Sequence, residues 1–150
     1  MKNICLFICC ILTQISVFGR SSESFSIKYY CTNWGMNESW DAFCTKVKSA
    51  GYDGVETWLP AGATEQEEMI EALKKHRLSL GLLAGGGGGG EFEQYAKAFG
   101  ASLESAAKFH PDYINCHTGK DYYSFEQNKE LIAAADRVSK AYAIPVYHET

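Results

Sequence analysis

Tyr113-Ile114-Asn115-Cys116-His117-Thr118-Gly119, then Ser124-Phe125-Glu126-Gln127, then Ile144-Pro145-Val146-Tyr147-His148-Glu149-Thr150: these three runs decide how the chain is read. The first and last are short apolar stretches that end in polar, ionisable residues. Between them, Ser124 and Gln127 form a capping box, in which the Ser accepts from the third amide and the Gln reaches back. Leu131, Ala134, Ala135, Val138 and Tyr142 then recur at spacings of three and four, the buried stripe of a helix. Strand, helix and strand in this order make a βαβ unit, so the two strands run parallel.

Towards the N-terminus the same unit recurs at intervals of about thirty residues. Ile27 to Thr32 is rich in aromatic and β-branched residues and predicts a first strand, ending at Asn33-Trp34-Gly35. Asn37 can cap a helix with Trp40, Phe43, Val47 and Ala50 on one face, and Gly51 can take the left-handed conformation that ends it. Val55 to Leu59 predicts a second strand, stopped by Pro60. Thr64 and Glu67 have capping-box spacing ahead of Met69, Ile70 and Leu73, and that helix closes on the basic cluster Lys74-Lys75-His76-Arg77, which suits its negative end. Leu78 to Leu83 predicts a third strand. Six glycines, Gly85 to Gly90, follow it; such a run maximises backbone freedom and reads as a flexible linker. A helix from about Glu91 to Phe109 comes next, and Pro111 prevents its continuation.

The order is therefore βαβαβαβαβ, with strand starts near 27, 54, 78, 113 and 144. Strands that are apolar without clean alternation, each followed by a helix, predict an α/β protein with a parallel sheet covered by helices. Two architectures fit: the first five strands and four helices of an incomplete (β/α)8 TIM barrel, or a five-stranded doubly wound sheet. Unpaired flanks on strands one and five argue against independent folding of such a piece.

Residues 1–19 read as a signal peptide: a short basic start at Lys2, an apolar run from Ile4 to Val17, and Val17-Phe18-Gly19 ahead of a cleavage point before Arg20. Thr13, Gln14 and Ser16 interrupt the run, so no stable membrane span is expected after leader cleavage and the protein is expected to be exported, periplasmic or extracellular. Residues 20–26 read as a linker and 27–150 as the folded part. The leader takes Cys5, Cys9 and Cys10 with it. Cys31, Cys44 and Cys116 remain, an odd number whose spacing matches no zinc motif, and they read as small buried hydrophobes. Cys116 and His117 are strand neighbours and so point to opposite faces, which argues against a Cys-His pair. A net charge of -4 over 150 residues argues against nucleic acid as a partner.

Chemistry is expected at the carboxyl ends of parallel strands. There stand Trp34, Glu56 and Trp58, then His117 with Lys120 and Asp121, then His148 with Glu149. A carboxylate ending an apolar strand is destabilising to bury unless it is paired or bound to a cation. Imidazole with carboxylate suits a divalent metal such as Mn, Mg, Co or Zn, and a carboxylate can move a proton next to a carbonyl that the metal polarises. The glycine run lacks the Gly-Lys-Ser/Thr ending of a nucleotide loop and the spacing of a dinucleotide fingerprint.

Gly51-Tyr52-Asp53-Gly54-Val55-Glu56, Asn115-Cys116-His117-Thr118-Gly119 and Val146-Tyr147-His148-Glu149-Thr150 together resemble the xylose-isomerase-like TIM barrels, over residues 27–150. That family includes sugar and sugar-phosphate isomerases and epimerases, and abasic-site endonucleases. The resemblance implies that Glu149 is both metal ligand and catalytic acid/base, that His117 contacts metal or substrate, and that later strands supply further Asp, His and Glu ligands. It implies a small-molecule sugar substrate, with Glu56, Trp34, Trp58, Lys120 and His148 as candidate contacts. The expected activity is an exported sugar isomerase or epimerase working through an enediolate, represented by its N-terminal part. A lyase on oxidised sugars and a non-catalytic sugar-binding protein are the alternatives. An abasic-site phosphodiesterase would need more His and a basic groove. Nothing in the sequence sets the oligomeric state.

Overall fold

The structure, a computed structural model, describes residues 25–87 and 90–149. The signal-peptide reading of residues 1–19 and most of the linker lie outside those residues. Within them the protein is α/β, with four helices and one five-stranded parallel sheet: β1 (Tyr30–Thr32), α1 (Trp40–Ser49), β2 (Gly54–Trp58), α2 (Ala63–His76), β3 (Ser79–Gly85), α3 (Phe92–Ala107), β4 (Tyr113–His117), α4 (Phe125–Tyr142) and β5 (Val146–Glu149). The strands lie side by side in chain order, β1-β2-β3-β4-β5. Each crossover thus advances by one strand in the same direction, as in a barrel wall, and no switch point of the doubly wound kind occurs among these strands. No helix among the described residues is long and apolar enough to cross a membrane.

Right-handed crossovers that always advance the same way place every helix on one face of the sheet. Burial follows that rule. Val55, Thr57, Leu80, Leu82, Ala84, Ile114 and Cys116 share one face by strand parity and are buried. With Trp40, Val47, Met69, Leu73, Phe99, Leu103, Leu131 and Val138 from the helices, the apolar ones among them form the core. The other face carries Thr32, Glu56 and Tyr113 in one row, Trp58, Leu83, Asn115 and Tyr147 in the next, and Gly85, His117 and Glu149 in the last. The strands do alternate; aromatic residues on the open face hide the alternation in a hydrophobicity reading.

Several local expectations change. Ser39, not Asn37, caps α1, accepting from Ala42 N. Gly62 is the N-cap of α2 and makes no side-chain bond, so the Thr64–Glu67 capping box does not form. Helix starts are set by the path of the chain after it leaves the sheet, here at Trp58, and that path puts the N-cap two residues before Thr64. The Ser124–Gln127 box forms as expected, and Gly51 follows the end of α1 at φ 87°. The glycine run is partly built structure: Gly85 ends β3, and Gly86 is buried against the ring of Tyr95. A Cβ on Gly86 would lie 2.7 Å from that ring. Gly100, midway along α3, has open space around it.

Two substitutions separate these glycines. Gly100→Ala is expected to stabilise by roughly 0.5–1 kcal/mol through helix propensity. Gly86→Ala is expected to destabilise by about 1–3 kcal/mol through overpacking. Urea unfolding of the two variants should move in opposite directions.

Candidate functional site

The paired register of β4 and β5 sets His117 directly beside Glu149. In a parallel pair, in-register residues point the same way, so imidazole and carboxylate meet: His117 Nε2 lies 3.4 Å from Glu149 Oε2. Asn115, two residues earlier on the same face, donates through Nδ2 to Glu149 Oε2 at 3.4 Å. The Trp58 ring stands edge-on to His117 with centroids 5.3 Å apart, and room for it comes from Gly85, where a Cβ would lie 3.3 Å from the Trp58 ring. His117 and Glu149 are 49% and 62% exposed. Even as an ion pair, a contact this exposed would contribute under about 1 kcal/mol, so folding stability does not explain why both groups stand here.

A cavity of about 500 Å³ opens at this pair, lined by His117, Thr118, Gly119, Lys120, Asp121, Asn128 and Glu149. The loop after β4 is fixed from beneath. Tyr95, at the start of α3, donates its hydroxyl hydrogen to His117 O at 2.9 Å, with Gly119 O at 3.3 Å. Its ring lies under the Lys120 ammonium, 5.5 Å from the centroid. Asn128 closes the space at Gly119, whose φ of 72° also calls for glycine.

The other candidates are distributed differently. Glu56 is on the same face but in a deeper row, four residues below Gly85 along the register, or roughly 13 Å at strand rise. It accepts from the Tyr113 hydroxyl at 2.8 Å. Burial, then this carboxylate, raises Tyr113 far above an ordinary phenol. Trp34 does not join the pair; it lies in a separate groove with Met36, Phe43 and Tyr52. His148 also departs from the expectation. Strand alternation turns it to the opposite face from Glu149, where Nδ1 is 2.8 Å from the Thr118 hydroxyl. The residue is exposed as a whole, and partial desolvation of the ring lowers its imidazole from the ordinary 6.5.

Cys116 and Cys44 are buried thiols and Cys31 is partly buried, all unbonded. Desolvation pushes Cys116 up to about 12 and Cys44 up to about 11, which suits packing and not nucleophilic chemistry. Sequence reading passed over Asn115, Tyr113 and Tyr147. Counting back by twos from His117 and Glu149 would have found all three.

His117 and Glu149 have the donor types of a divalent-metal site. Among the described residues, however, no group of three or more His, Cys, Asp or Glu gathers to hold a metal ion. Two donors fall short of the three protein ligands usual in a catalytic site. No protein-family model, curated protein or solved structure matches the chain.

The lowered pKa of His148 has a thermodynamic consequence. A folded imidazole with a depressed pKa binds fewer protons than the unfolded chain, so its contribution is full above 6.5 and is lost as pH falls through the folded midpoint. NMR titration should place the His148 ring below 6.5. His148→Gln should flatten the acid limb of the stability-against-pH curve.

Proposed function

We propose that the open face of the sheet receives a sugar, and that Glu149 moves a proton at the carbon next to its carbonyl, as in sugar isomerases and epimerases. The observation that carries this reading is the 3.4 Å approach of His117 Nε2 and Glu149 Oε2 at the carboxyl ends of adjacent parallel strands. Supporting it is the surrounding chemistry. Trp58 is 42% exposed and Tyr147 is 57% exposed, giving flat apolar faces of the kind that lie against sugar C–H groups. Asn115 and Glu149 supply a donor and an acceptor within reach of hydroxyls. The sequence resemblance to xylose-isomerase-like barrels points the same way.

In this reading the Glu149 carboxylate is the base. Asn115 holds one of its oxygens, so the other is free to face the substrate carbon. Trp58 limits the swing of the His117 ring, and His117 stays in hydrogen-bond reach of substrate oxygens at the carbonyl end. A divalent metal (Mn, Mg, Co or Zn) would take His117 and Glu149 as two of its ligands and would polarise the carbonyl. Its other protein ligands would have to lie beyond the described residues, and no step is derived through it. An exported protein, as the leader implies, meets free sugars and keto-sugars more than phosphosugars. Removal of the same proton would also begin elimination from an oxidised sugar.

The shortage of metal ligands among the described residues favours one second reading, a sugar-binding protein without turnover. Solvent deuterium exchange into aldoses and ketoses, followed by NMR with Mn²⁺ present, separates the two. The proposed activity predicts label at the carbon next to the carbonyl, reduced by roughly 10²–10⁴-fold in Glu149→Gln. Sugar binding with no exchange would establish the second reading. Wild-type exchange in the Gln variant would remove Glu149 from the mechanism.

A further inference from the structure

We infer that Lys120 is an anion-binding arm of this site and that the ligand is an acidic sugar, a monosaccharide bearing one carboxylate. The inference rests on the sugar reading above and narrows its substrate class.

Lys120 lines the same cavity as His117 and Glu149. Among the described residues, Lys28, Lys46, Lys75, Lys129 and Lys140 each meet a carboxylate, whereas Lys48, Lys74, Lys97, Lys108 and Lys120 form no ion pair, and of these five only Lys120 lines this cavity. Asp121 follows it in the chain and lines the cavity too, yet forms no ion pair with it. The ammonium instead sits over the face of Tyr95, a ring only 2% exposed. A ring face attracts the charge without neutralising it and without using up the N–H donors.

The arm is placed in advance. The Tyr95 hydroxyl ties down the carbonyls of His117 and Gly119, on the chain just before Lys120, and Asn128 packs under Gly119. Order bought during folding is not lost again on binding, so a charge presented this way favours a ligand of matching sign.

One cation suits one negative charge. A phosphate dianion is ordinarily met by several donors, commonly an Arg fork or free amides at a helix N-terminus. Here the nearest helix start is closed upon itself: Ser124 takes the Gln127 amide, and the Gln127 side chain takes the Ser124 amide. Lys120 carries the one permanent positive charge among the residues that line the cavity. That matches a carboxylate at the far end of a sugar whose carbonyl end faces Glu149.

Calorimetric titration of the full chain with a hexuronate, the corresponding neutral hexose and a hexose phosphate tests this. The hexuronate should bind at least about tenfold more tightly than the neutral hexose, the increment of a charge-assisted hydrogen bond, and its affinity, unlike that of the neutral hexose, should fall with added salt. Lys120→Gln should bring the hexuronate down to the neutral sugar, while Lys120→Arg should keep the preference. Equal affinities in the wild type would overturn the acidic-sugar assignment and leave the sugar reading standing. Binding of neither sugar would overturn both. A preference that survives Lys120→Gln, or a hexose phosphate that outbinds the hexuronate, would likewise overturn it.

Discussion

Everything at the site depends on the register between β4 and β5. Parallel pairing places Asn115 opposite Tyr147 and His117 opposite Glu149, and the pleat turns all four side chains to one face. A slip of one residue would turn Glu149 to the helix side and bring His148 to the open face in its place. The register is held at its start by the bond from Ile114 N to Pro145 O and by burial of Ile114 against the helices. The core face thus enforces the geometry of the polar face, although the two share no atoms.

The open face has a packing logic of its own. Three of its positions are glycines, and an aromatic ring from a neighbouring strand leans over each: Tyr30 over Gly54, Tyr113 over Gly81 and Trp58 over Gly85. A Cβ at Gly81 would lie 2.6 Å from the Tyr113 ring. Tyr30 and Tyr113 stand edge to face at 5.1 Å, and Tyr113 and Tyr147 are 5.7 Å apart. The rings therefore line the face as a continuous surface instead of projecting from it. Tyr113 reaches Glu56 and Trp58 reaches His117, so the same packing steers both candidate side chains.

The two ends of the sheet divide the labour. At the amino ends of the strands, Asp112 accepts from Lys28 at 2.6 Å and from the Tyr30 hydroxyl at 2.7 Å. Burial pushes the Asp112 carboxyl up, but these bonds together with Ser79 outweigh it and hold the carboxyl below its usual range. Those groups satisfy one another and tie the incoming chain to the start of β4. At the carboxyl ends the groups are less satisfied: a long His117–Glu149 contact, a long Asn115 bond and a lysine held by a ring. Groups that fold without complete partners retain capacity for a ligand.

The succession of five strands and four helices was legible because each element carries its own period and its own stop, as Gly51, Pro60 and the Ser124–Gln127 box show. The identity of His117 and Glu149 as strand-end residues was equally local. Helix starts at Ser39 and Gly62 were not legible, since several residues nearby could cap and only the path of the chain out of the sheet chooses among them. Gly86 resembled its neighbours in a uniform glycine run; its distinction is Tyr95, which approaches it from the following helix. His148 and Glu149 were both assigned to one site as adjacent polar residues, and Trp34 and Trp58 likewise as rim aromatics. The sequence by itself determined which elements form and in what order, because periodicity and chain punctuation act over a few residues. Only the tertiary structure decided which side chains share a face and which loop holds them, because register and burial are set by contacts between residues far apart in the chain.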